Sequence, residues 1–156
     1  MPLPYLTPLD ADTQRAHGIA APWPLAIADR VRFSELDPLN HVNNAAYMSW
    51  FEGIRIRYFH EWDISHYRAG DPRLVIRRAE VDYLREMRMG EDYILAARTV
   101  SFRNTSFTME YALWAGDLRA TGSAVVVMLE PDGSGKRPLP EALRQRFAEV
   151  DGAHPA

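Results

Sequence analysis

The residues best equipped for chemistry sit together in Asp37-Pro-Leu-Asn-His41-Val-Asn43-Asn44, which runs directly into Ala-Ala-Tyr47-Met-Ser-Trp50-Phe-Glu52. A carboxylate, an imidazole and several carboxamides are thereby placed between a strand-like run and a strongly apolar helical one. The start of an α-helix presents backbone N–H groups that have no acceptor within the helix, and the macrodipole makes that end positive. An acid beside such an end suits a reaction in which a carbonyl oxygen gains negative charge, because the amides hold the oxyanion while the acid serves as base or nucleophile. Asn43 or Asn44 fits the N-cap position, where a side-chain oxygen accepts from an orphan amide. His41 could orient a substrate or share a proton, and equally could be a loop histidine bonded to the backbone. Glu52 is a reserve acid whose ordinary role would be a salt bridge with Arg55 or Arg57. Glu35 reads as a solvated charge at a strand end.

The elements that must position these groups follow from periodicity. Leu25, Ile27, Val31 and Phe33 share one face of an alternating run over 25–34, which predicts a half-buried strand broken by Pro38 and Asn40. Residues 44–62 read as a helix, since Trp50, Ile54, Tyr58 and Trp62 recur every fourth position beside Tyr47 and Phe51. Its apolar stripe leaves only a narrow polar strip, so burial on most sides is expected. Residues 64–72 read as a loop. Strand-like runs follow over 74–84, 93–102, 107–114 and 118–129, with 103–106 as a hairpin connection. In the first of these, Val75, Ala79, Val81 and Tyr83 fall on one face. Residues 140–150 predict a terminal helix with Leu143, Phe147 and Val150 on one side. Residues 1–24 carry Pro2, Pro4, Pro8, Pro22 and Pro24 and read as an arm, with room for a short helix over 12–17, lying on one domain over 25–150. One strand, a long apolar helix, four strands and a terminal helix make an α+β layer, an antiparallel sheet curled around the helix. The sheet face and edges so exposed are what a second copy would cover.

Composition removes several classes. With 156 residues, 47% of them hydrophobic and 25% charged, the chain suits a globular fold with a substantial core. A formal net charge of −3 gives no footprint for nucleic acid or an anionic membrane. The absence of cysteine excludes disulfides, thiolate catalysis and cysteine-based zinc sites. No run reaches the roughly 18 apolar residues of a spanning helix. Met1-Pro-Leu-Pro-Tyr5 has no basic segment before an apolar one, so the cytoplasm is the expected compartment. Gly133-Ser-Gly-Lys136 lacks the spacing of a phosphate loop, the five histidines show no metal-ligand spacing, and no G-x-S-x-G occurs.

The pattern D-x-x-x-H-V-N-N-x-x-Y-x-x-W-F-E, from Asp37 to Glu52, resembles that of hotdog-fold thioesterases of the 4-hydroxybenzoyl-CoA thioesterase type, and the likeness runs from about Arg30 to Leu129. It implies a curved antiparallel sheet around a central helix, hydrolysis of an acyl thioester without metal or cofactor, and a homodimer or homotetramer with sites at subunit boundaries. The family's catalytic aspartate maps onto Asp37, and the amide that polarises the thioester carbonyl maps onto Asn44. Leu39 stands where the related plant acyl-carrier-protein thioesterases have asparagine, so the site implied rests on Asp37 and the helix end, with His41 beside them. Tyr47, Asn43 and Trp50 are candidates to line the substrate. Arg77 and Arg78, with Arg85, Arg88 and Arg103, are candidates to meet coenzyme A phosphates. The partner is acyl-CoA or an acyl-carrier protein. Two alternatives stand beside hydrolysis: a non-catalytic module that binds acyl-CoA or acyl-carrier protein, and an enoyl-thioester hydratase or dehydratase using Asp37 and His41.

Overall fold

The apolar stripe of the long helix needs a sheet to bury it, and the alternating runs supply one. A computed structural model of the chain describes residues 2–156. In chain order the elements are α1 (Ala11–Ala16), β1 (Leu25–Arg30), α2 (Asn44–Glu61), β2 (Arg73–Tyr83), β3 (Asp92–Phe102), β4 (Ser106–Ala115), β5 (Asp117–Leu129), α3 (Glu141–Asp151) and β6 (His154–Pro155). Strands β1 to β5 form an antiparallel sheet in the order β1-β3-β4-β5-β2. The two residues of β6 run parallel to the end of β3, beyond the stretch that β1 pairs.

One helix touches four strands. Trp50 stacks on Tyr93 of β3 at 4.4 Å, Phe51 on Tyr111 of β4 at 5.0 Å, and Tyr47 meets Tyr83 of β2 edge-on at 4.9 Å. The approach to β5 requires Gly122, because a Cβ there would stand 2.7 Å from the Phe51 ring. The sheet thus wraps α2 on one side. α3 closes the far end, with Phe147 fully buried against Tyr58, Phe102 and Phe107.

The two outer strands of the sheet are treated differently. The N-terminal segment runs along β1, where Leu6 N–H and Leu9 N–H donate to the carbonyls of Ala28 and Ala26 at 2.9 and 2.8 Å. Leu9, Ile19 and half-buried Trp23 then pack on the outer surface of β1 and β3 with Ala26, Ala28, Ile94 and Ala96. The 11-residue β2 has no such cover among the described residues; it pairs with β5 on one edge, and Val75 and Ile76 are 42% and 40% exposed.

Several expectations shift. The strand expected over 25–34 ends at Arg30, and Phe33, expected to face inward, is 79% exposed. The cause is Glu35, whose carboxylate accepts from Arg32 N–H at 2.8 Å and winds Phe33–Glu35 into a 3₁₀ turn. In β2 a bulge between Ile76 and Arg78 changes the phase of the alternation, so Leu74 rather than Val75 packs against the core. The helix α2 is not buried on most sides: Ala45, Met48, Ser49, Glu52, Gly53 and Ile56 form an exposed face.

Asp151, the last residue of α3, ties the helices to the sheet. Its carboxylate accepts from Thr99 N–H at 2.7 Å, from the Trp62 indole at 3.0 Å and from the Tyr58 hydroxyl. Burial raises its pKa, although these donors pull the other way. Asp151→Ala leaves Thr99 N–H and the Trp62 indole without an acceptor, with only Thr99 Oγ1 left to the Tyr58 hydroxyl, and should lower stability by about 3 kcal/mol in urea unfolding. Because the native state binds this proton more tightly than the unfolded chain does, its stabilising contribution is full below the unfolded carboxylate pKa. It is lost as pH rises through the raised value. Asp151→Asn should remove that component from stability curves measured above about pH 4.

Candidate functional site

The chain leaves β1 through Val31, whose N–H bonds the Glu91 carbonyl at 3.0 Å, and enters a tight hairpin over 35–43. Asn43 N–H donates to the Glu35 carbonyl at 2.7 Å, Leu36 and Val42 bridge, and Asp37 N–H donates to the His41 carbonyl at 2.8 Å. The tip turns through Asn40 in the left-handed region at φ +62°, a conformation asparagine tolerates. α2 begins immediately beyond this hairpin, so Asp37 and the helix tip are brought together by local chain geometry.

One oxygen of Asp37 is held in place. Oδ1 accepts from Leu39 N–H at 2.9 Å and from His41 N–H at 3.2 Å. Oδ2 has no hydrogen-bond partner among the described residues, and the side chain is half-buried. The carboxylate is therefore oriented at one oxygen and available at the other.

At the helix tip, Asn43 is the N-cap and its Oδ1 accepts from Ala45 N–H at 2.9 Å. Ala46 N–H donates to the Asn43 carbonyl at 2.9 Å. The Asn44 N–H, first in the helix, has no acceptor among the described residues. This amide is an exposed donor at the positive end of the macrodipole, suited to a developing oxyanion. The Asn44 carbonyl accepts from the Tyr83 hydroxyl at 3.1 Å, which fixes the end of β2 to the tip.

The His41 ring pairs with Glu86, while its backbone amide meets Asp37. Its Nε2 lies 3.0 Å from Glu86 Oε2, in the connection between β2 and β3. The Arg88 guanidinium, bonded to Glu86 at 2.7 Å, holds that carboxyl below its usual range and keeps it anionic toward the imidazole. Val42 N–H donates to the Met87 carbonyl at 2.8 Å, so backbone and side chain both join the hairpin to this connection.

Tyr47 and Trp50 are buried under the tip, 5.3 Å apart between ring centres. Glu35, read as a solvated strand-end charge, is a structural acid instead: besides capping Arg32 it accepts from the Trp50 indole. The sequence carried no capping signal for it, since Arg32 stands where a capping box has Ser or Thr. Glu86 and Tyr83 carried no signal of their own, since their roles depend on which loops meet. Glu52 is exposed and stands 3.9 Å from Arg55, so the salt-bridge reading fits it. Arg77 and Arg78 are not brought to the tip in a single chain. They lie six and five residues up β2 from Tyr83, about 17–20 Å in strand rise, beside Arg103, Ser101 and Thr108 at a separate cavity of about 350 Å³. Among the described residues no group of three His, Asp or Glu is arranged to hold a metal, and no helix is long and apolar enough to cross a membrane.

A family model described as the thioesterase-like superfamily matches residues 31–147. The structure is similar to the crystal structure of a thioesterase-superfamily protein from Jannaschia sp. CCS1, 49% identical, with a TM-score of 0.93 over 100% of both chains. It is also similar to a thioesterase from Thermus thermophilus whose crystal structure holds coenzyme A and Zn. That chain is 40% identical, with a TM-score of 0.72 over 83% of this chain and 96% of that one. The uncharacterized protein YsmA of Bacillus subtilis (strain 168) is 31% identical over 108 residues, 68% of this chain and 72% of its own. The sheet wrapped on α2 is the hotdog architecture that these thioesterase structures share.

The geometry of the tip gives a direct stability test. Asn43→Ala removes the acceptor for Ala45 N–H and should cost about 1 kcal/mol. That corresponds to a fall of about 2–4 °C in thermal midpoint for a chain of this size, measurable by calorimetry.

Proposed function

The chain belongs to the thioesterase-like superfamily, and from this premise we propose that it is an acyl-CoA thioesterase working from the Asp37 hairpin and the α2 tip. The observation that carries the proposal is the pairing of a carboxylate held at one oxygen and free at the other with an N-terminal amide that lacks an acceptor. The thioester carbonyl accepts from Asn44 N–H, and the free oxygen of Asp37 either takes a proton from the water that attacks and displaces the thiol, or attacks the carbonyl itself, expelling the thiolate and leaving a mixed anhydride for water to hydrolyse. His41 positions the hairpin through Glu86. Coenzyme A as the thiol carrier is supported by the Thermus relative, which binds it.

Of the exposed arginines, Arg88 bonds Glu86, the partner of His41, and Arg85 adjoins Glu86 in sequence, which supports a role for both in meeting phosphates of the carrier. Arg77 and Arg78 would have to act from a second chain. A second chain is also what the open edge of β2 calls for. A long, partly apolar strand edge without cover is a pairing surface, and Tyr83 joins the end of that strand to the helix tip. We propose a homo-oligomer built on β2, whose added copy covers the exposed Asn43, Asn44 and Ala45 and completes the site. Ile76→Lys should shift the protein toward the monomer in size-exclusion chromatography with light scattering, and activity should fall with it.

A hydratase would need the Asp37 carboxylate and the His41 ring to work as an acid–base pair. Here Asp37 meets the His41 backbone amide, and the ring faces Glu86. Thiol release from a panel of short, long and aromatic acyl-CoAs tests the hydrolase reading. Asp37→Asn and Asp37→Ala should each lower kcat by about 10²-fold or more with the fold intact. Full activity in both variants removes Asp37 from the mechanism, and tight acyl-CoA binding without any thiol release favours a binding module.

A further inference from the structure

A cavity of about 300 Å³ opens beside α2, on the β1 side of the sheet. Its apolar wall is Ile27 of β1, Tyr93 and Leu95 of β3, and Trp50 and Ile54 of α2. The charged groups that border it, Asp29 and Arg57, are ion-paired elsewhere, with Arg32 at 2.9 Å and Glu61 at 2.8 Å. Nothing in it asks for a charged ligand.

Gly53 is the informative residue. Glycine in mid-helix is a poor helix former and is retained where a backbone angle or a close contact demands it. Neither demand exists here: its φ is not in the left-handed region, and a Cβ built on it meets nothing within 4 Å. What the missing side chain leaves is room, and that room belongs to the cavity. Gly53 and Ser49, a turn earlier, keep this flank of the helix low.

One wall residue, Trp50, links the cavity to the site. It holds Glu35, whose carbonyl receives Asn43 N–H at the helix tip. Along the helix axis, Ser49 and Gly53 stand about 7 and 14 Å from Asn44. A group anchored by its carbonyl at the tip and lying along this flank reaches the cavity with the length of a medium-chain acyl tail. Leu6 of the N-terminal arm lines the cavity from the other side, pinned at φ +59° by its bond to Ala28. A leucine rarely adopts that conformation, and here the residue is held 58% exposed.

We propose that this cavity receives the apolar tail of the acyl group, selecting medium-chain thioesters, with Gly53 setting the depth and Leu6 closing the open side. The assignment rests on the thioesterase reading for the position of the carbonyl. Non-hydrolysable S-(2-oxobutyl)-CoA and S-(2-oxodecyl)-CoA, thioethers that keep the carbonyl and carry an ethyl or an octyl tail on it, titrated calorimetrically into wild type, Gly53→Ala, Gly53→Leu and Leu6→Ala, separate the two. Wild type should prefer the octyl thioether by about tenfold or more, and Gly53→Leu should erase most of that ratio. Gly53→Ala should fall between them, and Leu6→Ala should weaken the preference. Both Gly53 substitutions favour the helix, and circular dichroism checks that the fold is kept. An octyl-to-ethyl ratio unmoved by Gly53→Leu overturns the cavity assignment, even where acyl-CoA hydrolysis persists. A changed subunit number with an unmoved ratio also overturns it, since the flank then seats a second copy. A chain-length preference that responds to Gly53 with no thiol released from any acyl-CoA upholds the cavity and overturns the hydrolase reading instead.

Discussion

The site hangs on one backbone rung, the 2.7 Å hydrogen bond from Asn43 N–H to the Glu35 carbonyl. Asn43 is the N-cap, so whatever fixes its position fixes where α2 begins and where its unbonded amide points. Glu35 is itself fixed twice over through its side chain, by Arg32 N–H on one side and the Trp50 indole on the other. The hairpin carrying Asp37 is thus tied at its base both to the start of the helix and to a buried residue two turns along it. Local bonds orient the Asp37 carboxylate, but the rung is what sets it against the helix tip.

The same economy of contacts explains which surfaces the chain closes and which it leaves open. The N-terminal arm bonds along β1 and carries apolar residues onto the outer surface beside it, so that edge is covered within one chain. β2 is as long as β3 and has no such cover. Chains normally blunt long edge strands with charge, bulges or short length. Here there is a bulge at Arg77, yet Val75 and Ile76 remain exposed beside it. Tyr83 connects the end of β2 to Asn44, so the open edge and the exposed helix tip are neighbouring parts of one uncovered surface.

How much of this was legible from the residues depended on whether a feature was periodic. The four-residue spacing of Trp50, Ile54 and Tyr58 fixed the long helix because burying one face is a regular demand, and all three are buried. The strands of the sheet were legible for the same reason. Phe33 misled, since an apolar residue in phase carries no sign that a carboxylate two positions on will turn the chain out of the strand. Val75 misled because one inserted residue reverses every assignment before it. The motif from Asp37 to Asn44 was readable as acid plus helix start, whereas the Glu86 partner of His41 was not. That contact joins residues 45 positions apart through two loops, and loop meetings leave no pattern in a sequence.

Around His41 the charges are paired off rather than gathered into one sign. Arg85 bonds Asp117, Arg88 bonds Glu86, and Arg119, 16% exposed at its side chain, bonds both Asp117 and Glu91. Arg119 also donates to the backbone carbonyls of Glu86 and Ala115, at 2.7 and 3.0 Å, which pins the connection after β2 to the turn before β5. Such a collar fixes the Glu86 carboxylate that His41 meets, but its opposite charges cancel at a distance, so it generates little long-range attraction for an anionic carrier. Phosphate recognition beside this collar would have to come from short contacts, with exposed Arg85 or Arg88 exchanging a carboxylate partner for a phosphate. That exchange costs less for side chains 70% and 66% exposed, whose present pairs are screened by water, than it would for Arg119, which is held by the backbone. The structural and the exchangeable cations of the collar are therefore separated by burial.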